Sequence, residues 1–236
     1  MENATITKRV LVTGGSGYFG ECLLQCLGKN PGVLLRNFDL NPLSSERIKV
    51  ETQIGDIRDA QAVAQAVRGC THVIHSVAQV PLAKNKQLFS SVNIEGTRVL
   101  LEACLNAGVQ KLVVLSSSAV FGVPDRNPVT DQTLPHPREA YGRAKWHAER
   151  LCKEYQSKGL DITIIRPRTI LGHGRLGIFQ ILFSWVAEGR SVYVLGRGDN
   201  VYQFVHADDL ASACIKALDR PGAATYNIGT SEFGTM

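Results

Sequence analysis

Tyr141 and Lys145 stand four residues apart in Ala140-Tyr-Gly-Arg-Ala-Lys145, inside a stretch, 139–158, that reads as a helix. That spacing puts a phenol and an ammonium on one helical face. A free phenol titrates at about 10, and a neighbouring positive charge favours its ionised form. Such a pair is suited to take a proton from a hydroxyl and to return it. Upstream, the apolar run Lys111-Leu-Val-Val-Leu115 reads as a buried strand that leads into Ser116, Ser117 and Ser118. Hydroxyls at a strand end can hydrogen-bond a substrate oxygen, and all three are candidates. A proline-bearing loop, Pro124 to Pro137, lies between the serines and the helix and delays its start.

A second group near the N-terminus suits anion binding. Val10, Leu11 and Val12 form a short β-prone run, followed by Gly14, Gly17 and Gly20 and then an apolar helical stretch from Cys22 to Leu27. Tyr18 and Phe19 lie within the turn. Strand, glycine turn and helix in that order place free backbone N–H groups and a helix N-terminus where a pyrophosphate is stabilised. Asp39 ends the next apolar run, Val33-Leu-Leu-Arg-Asn-Phe-Asp39, where a carboxylate can hold the ribose hydroxyls of an adenosine. In Gly55-Asp56-Ile57, Asp56 can accept from an adenine amine while Ile57 packs on the ring; Asp56 or Asp59 could equally cap a helix. After the run Thr71-His-Val-Ile-His75, the small residues Ser76, Val77 and Ala78 allow a ribose and phosphate close to the backbone. His72 and His75 fall three apart on a strand, face opposite sides and read as packed side chains, so no metal site is expected.

These groups need a scaffold that gathers strand ends. Strands are expected at 8–13, 33–39, 48–54, 72–76, 111–116, 161–166 and 224–228, with a short one near 192–195. Helices are expected at 18–28, 58–68, 86–107, 139–158, 176–188 and 208–218. Alternation of this kind predicts an α/β fold: a Rossmann-type doubly wound parallel sheet with helices on both faces and sites at the carboxyl ends of the strands. The 236 residues suffice for one large domain, or one domain and a small lobe. A net charge of +5 with no basic run longer than two residues gives no footprint for nucleic acid or a membrane surface. Six cysteines without a Cys-x-x-Cys pair read as small core residues of a reduced, cytoplasmic protein, and the polar N-terminus shows no signal peptide.

The spacing Thr13-Gly14-x-x-Gly17-x-x-Gly20, with Tyr141-x-x-x-Lys145, resembles the extended short-chain dehydrogenase/reductases, specifically the NAD-dependent epimerase/dehydratase family. Further segments carry the resemblance along almost all of the chain: Ser117-Ser-Ala-Val-Phe-Gly122, Asn93-x-x-Gly96-Thr97, Arg166-Pro167, Phe204-Val-His-Ala-Asp-Asp209 and Tyr226-Asn-Ile-Gly229. The resemblance implies NAD as cofactor and selects Ser117, five residues before Gly122, as the catalytic hydroxyl. It implies that Tyr141 exchanges a proton with a substrate hydroxyl, that Lys145 holds the nicotinamide ribose and lowers the pKa of Tyr141, and that Asn93 supports a water relay. Pro167 is implied to set backbone beside the nicotinamide. Val80, Ser118, Phe121, Thr169, Arg197 and Tyr202 are expected to face a small-molecule substrate, a secondary alcohol of a nucleotide sugar.

Two departures matter. Thr169 and Tyr202 stand where nucleotide-sugar enzymes usually carry Asn and Arg for the substrate diphosphate, with Arg168, Arg175 or Arg197 as substitutes. The run Arg166-Pro-x-x-Ile170-x-Gly172 is equally similar to the 3β-hydroxysteroid and sterol-carboxylate dehydrogenases; a non-catalytic NAD-binding sensor is the remote alternative. The ending, Gly229 to Met236, stops where family members continue, so a truncated C-terminal lobe is expected. The expected division is a cofactor domain over 1–168 and a partial substrate lobe over 169–236, interleaved with late Rossmann elements at 203–228. A homodimer is expected across the helices at 86–107 and 139–158, supplied by Leu100, Leu101, Cys104, Ala148, Leu151 and Cys152.

Asp39 accepts from ribose hydroxyls and repels a 2′-phosphate, and Leu40 follows it where a basic residue would favour NADP. NAD should therefore bind more tightly than NADP. A titration of both cofactors checks this, and tighter NADP binding, with Arg36 as the responsible cation, is the contrary result.

Overall fold

The computed structural model describes residues 8–44, 48–80, 87–172, 180–192 and 197–235. Seven parallel strands form the central sheet: β1 (Lys8–Thr13), β2 (Val33–Asp39), β3 (Glu51–Ile54), β4 (His72–His75), β5 (Lys111–Leu115), β6 (Ile162–Pro167) and β10 (Ala224–Ile228). Their order is β10-β6-β5-β4-β1-β2-β3, so the winding reverses between β1 and β4. The strand carboxyl ends beside that reversal form the crevice in which this fold class binds ligands. Val10, Leu11 and Val12 are fully buried because helices cover both sheet faces, which explains an apolar run without alternation.

Helices α2 (Ala60–Val67), α4 (Thr97–Asn106) and α5 (Ala140–Ser157) cover one face, where Leu100, Leu101, Cys104, Leu112, Ile162 and Ile164 join one hydrophobic cluster. Helices α1 (Tyr18–Leu27) and α7 (Ala207–Asp219) cover the other, over Val10, Val12, Ile74 and Ile165. All six apolar residues expected to supply a dimer interface on α4 and α5 are buried within this single chain. Their apolar surplus is consumed by the sheet, which the sequence periodicity alone did not distinguish from an outer stripe.

The expected single helix over 86–107 is instead three pieces: α3 (Gln87–Ser90), a π-helical turn (Ser91–Gly96) and α4. The Asn93 side chain, inside the wide turn, bonds the loop after β4, and Thr97 Oγ1 donates to the Asn93 carbonyl at 2.9 Å. Those bonds replace regular helical geometry. Residues 173–179, where the expected helix at 176–188 would start, and 193–196, which overlap the expected strand near 192–195, lie outside the described residues; α6 spans Gln180–Ala187. Short strands not expected from sequence complete the late segment: β7 (Thr169–Leu171) pairs with β9 (Phe204–His206), and β8 (Val201–Tyr202) with β11 (Gly234–Thr235).

The glycine turn is held by contact distance. Gly14 has φ of +79°, and a Cβ on Gly20 would stand 2.0 Å from the Gly14 carbonyl oxygen. Gly20→Ala must therefore push α1 off the turn. Overpacking of this kind costs about 1–3 kcal/mol or more. The variant should melt several degrees lower and lose cofactor affinity; an unchanged melting curve by circular dichroism would show that the turn can relax.

Candidate active site

Sequence places Ser117 just past β5, and a short 3₁₀ turn (Ser118–Phe121) follows it. The Ser117 hydroxyl caps that turn by accepting from the Ala119 amide at 3.2 Å. The first turn of α5 packs against the same turn: a Cβ on Gly142 would lie 2.4 Å from the Ala119 carbonyl oxygen. Only glycine allows this approach, and it brings Tyr141 to Ser117. The Ser117 hydroxyl is near enough to act on the phenol. Burial raises the Tyr141 phenol above its ordinary value, and the Ser117 side chain opposes that rise. The Phe89 ring meets Tyr141 edge-on with centroids 6.1 Å apart, fixing the phenol on its second side.

Lys145 lies one turn further along α5 and is buried. Its ammonium donates to the Leu115 carbonyl, at the end of β5, over 2.8 Å. Burial brings it down to about 8, with Cys152 and Glu149 opposing the change. Ser117 is the side chain that favours phenolate here, while the Lys145 ammonium is turned to the end of β5. Ser118 is half-buried in the 3₁₀ turn, and Phe121 is buried, with the Arg166 guanidinium 5.0 Å from its ring centroid.

Sequence reasoning missed the brace behind these residues. Glu149, one turn beyond Lys145 and only 2% exposed, accepts from Ser116 Oγ at 2.5 Å. It also accepts from Arg166 Nε at 2.9 Å and from the second guanidinium nitrogen at 2.6 Å. One carboxylate thus fastens α5 to the ends of β5 and β6, next to Ser117 and Pro167. A glutamate on the apolar face of a helix, with an arginine on a buried strand, was the available signal.

The glycine turn supplies the cofactor cradle. Gly17 caps α1 with no side-chain hydrogen bond, leaving first-turn amides to other acceptors. A Cβ on Gly14 would meet the Val77 amide at 2.8 Å, so the turn touches the segment that carries Val77 and Ala78. Asp39 sits at the end of β2, where its carboxylate accepts from the Ser16 amide at 3.2 Å and the Asn41 amide at 3.0 Å. Arg36 is directed away: its guanidinium donates to the Ala66 and Arg68 carbonyls at 2.7 and 2.9 Å and pairs with Glu51. Leu40 is exposed. An uncapped helix end, a turn with no room for a Cβ and a carboxylate fixed by two amides fit an adenosine pyrophosphate.

Other expected residues fall in two groups. Phe19 is buried under α1, Tyr18 sets its hydroxyl beside Gly172, and Pro167 is buried at the end of β6. Asp59, not Asp56, caps α2. Asp56 is ion-paired with Arg58, which holds its carboxyl below the usual range, and Ile57 is turned into the core against Gly96 rather than out towards a ring. Asn93 is 1% exposed and clasps Gln79 through both polar atoms, accepting at 2.7 Å and donating at 3.1 Å, so it shapes the loop after β4. Val80 and Arg197 are exposed, Thr169 is half-buried on β7, and Tyr202 stacks on Phe204. Arg175 lies outside the described residues.

Residues 10–229 match the NAD dependent epimerase/dehydratase family. The chain belongs to that family. An uncharacterized protein of Sinorhizobium fredii, y4nG, is 56% identical over 98% of this chain and 58% of its own length. The mouse sterol-4-alpha-carboxylate 3-dehydrogenase is 30% identical over 90% of this chain and 59% of its own. The structure of Thermus thermophilus UDP-glucose 4-epimerase in complex with NAD superposes with a TM-score of 0.83 at 32% identity, over 96% of this chain and 79% of that one. The chain thus spans under two thirds of those two curated relatives. NAD is the cofactor of this epimerase/dehydratase family. Among the described residues no helix is long and apolar enough to cross a membrane.

Behind the cradle, His75 is completely enclosed. Thr97 Oγ1 already donates to Asn93, so it accepts from His75 Nε2 at 3.0 Å; His75 Nδ1 then accepts from Thr13 Oγ1 at 2.7 Å. Both bonds suit neutral imidazole, and burial, aided by Lys145, lowers its pKa to about 3. The unfolded chain protonates this histidine below about 6.5 while the folded chain does not. Stability conferred by neutral His75 is complete above that pH and is lost as pH falls towards 3, at about 1.4 kcal/mol per unit. Denaturant melts across this range should show a shallower slope for His75→Asn than for the parent chain; equal slopes would mean the imidazole is protonated when folded.

Proposed function

We propose that this chain provides the cofactor cradle and catalytic centre of an NAD-dependent oxidoreductase acting on a secondary alcohol of a nucleotide sugar. The observation that carries the reading is the close packing of the first turn of α5 on the turn after Ser117, which sets Tyr141 where Ser117 acts on its phenol, one helical turn from buried Lys145. Gly14, Gly17 and Gly20 would receive the pyrophosphate, and Asp39 the adenosine ribose. Bound NAD would supply the hydride acceptor at its nicotinamide, and NADH the donor. The chain's own residues handle the proton. Ser117 orients the reacting oxygen, and Tyr141 takes the proton from it or returns it. Lys145, whose ammonium faces the end of β5, would hold the nicotinamide ribose and add positive charge near the phenol. Glu149 and Arg166 keep β5, β6 and α5 in register while this happens.

A second reading, oxidation of a sterol-like alcohol, is favoured by one observation. Tyr202 and Phe204 stack on the late segment, 6.3 Å apart, where a diphosphate-binding arginine would otherwise stand. A homodimer formed by the outer faces of α4 and α5 and a reducing, cytoplasmic setting for the six free cysteines complete the proposal.

A panel of nucleotide sugars and hydroxysteroids, each mixed with NAD and followed by nicotinamide reduction or sugar interconversion, separates the two readings. With the responding substrate, Tyr141→Phe should lower turnover about 10²–10⁴-fold with cofactor affinity nearly unchanged. Lys145→Met should lower both turnover and NAD affinity, and Ser117→Ala turnover alone. Near-normal turnover in Tyr141→Phe would make the tyrosine structural and refute the mechanism.

A further inference from the structure

Four of the six cysteines are buried, but Cys22 and Cys26 are only half-buried on α1. Four residues apart, they share one helical face. That face packs on α7, whose first turn carries Asp208. The Cys22 thiol donates to Asp208 Oδ1 at 3.1 Å, and the two sulfurs and a carboxylate oxygen all lie within 4.8 Å of one another. His206 caps α7 by accepting from the Asp208 amide at 3.3 Å and keeps a ring nitrogen 3.6 Å from the Asp208 carboxylate. Burial first, then Asp208 and Cys26, push the Cys22 thiol up to about 12. Every side chain that raises it is an electron-pair donor, an environment whose pKa logic a bound cation inverts.

We propose that Cys22, Cys26 and Asp208 form a binding site for a thiophilic divalent cation of the zinc class, with solvent as fourth ligand. Metal–sulfur bonds of about 2.3 Å and metal–oxygen bonds of about 2.1 Å put tetrahedral ligands roughly 3.6–3.8 Å apart. The observed spacings, all within 4.8 Å, approach this. On binding, two S–H bonds break, two protons pass to solvent, and two metal–sulfur bonds and one metal–oxygen bond form without electron transfer. The cation would tie the helix that begins at the glycine turn to α7. The spacing Cys-x-x-x-Cys gave no sequence signal because its third ligand lies 186 residues away.

The test uses the reduced full chain and cadmium alone, whose bonds to thiolate absorb in the ultraviolet. One cadmium per chain should bind with a sulfur-to-metal band, zinc should displace it, and the melting temperature should rise. Cys26→Ser should weaken the band, and Cys22→Ser with Cys26→Ser should abolish it, while circular dichroism reports intact folding. Asp208→Asn should retain the band but weaken binding on the order of tenfold or more, one ligand of three being lost. An undiminished band in the double serine variant, unchanged affinity in Asp208→Asn, or no cadmium uptake by the parent chain would each overturn the proposal.

Discussion

The arrangement of the site depends on one buried carboxylate. Glu149 is almost wholly removed from water, a state that a charged group tolerates only when it is paired and fully hydrogen-bonded. Its partners come from two different strands, so the requirement to satisfy the charge is also a requirement that β5, β6 and α5 meet at fixed positions. Ser117, Tyr141 and Lys145 occupy the free side of the same junction. Their mutual geometry is therefore inherited from an electrostatic necessity located behind them. The worth of such an ion pair lies more in specifying one arrangement than in net stability.

A second constraint operates across the crevice. There the determining quantity is empty volume: Gly14, Gly20 and the β4 exit approach so closely that no side chain is tolerated. Behind them buried Thr13, His75, Thr97 and Asn93 form a continuous polar chain that ends on the half-buried backbone of Gln79. Each member has a partner, so the chain rigidifies the loop without leaving an unpaired dipole in it. The π-helical turn is the geometric price of placing Asn93 within that chain, and wide turns of this kind recur at functional sites.

Much of this was legible in the residues. Apolar runs bounded by glycine located the sheet strands, and the parallel topology followed from their alternation with helices. The glycine spacing, Asp39 and the Tyr141–Lys145 pair could be read because each encodes its chemistry within a few positions. What escaped had partners distant in sequence. Glu149 gains meaning only beside Ser116 and Arg166, and the break in the helix at Asn93 only beside Gln79. The packing of Ile57 on Gly96 also escaped, because an isoleucine after an acidic residue reads the same whether it faces a ring or a helix. The short pairs β7–β9 and β8–β11 contain two or three residues each, too few to show a period.

The outer margin of the sheet has its own consequence. Among the described residues β3, only four residues long, hydrogen-bonds to β2 alone and has no neighbour on its far side in the sheet. A bare strand margin is a template on which another chain can polymerise. Here Glu51 and Thr52 are exposed, Gln53 is polar, and Arg36 reaches across from β2 to hold the Glu51 carboxylate at the rim. A strand added at that margin would have to lie beside a held charge and desolvate it. The arginine that stays clear of the ribose site thus doubles as a guard against fibril-like association.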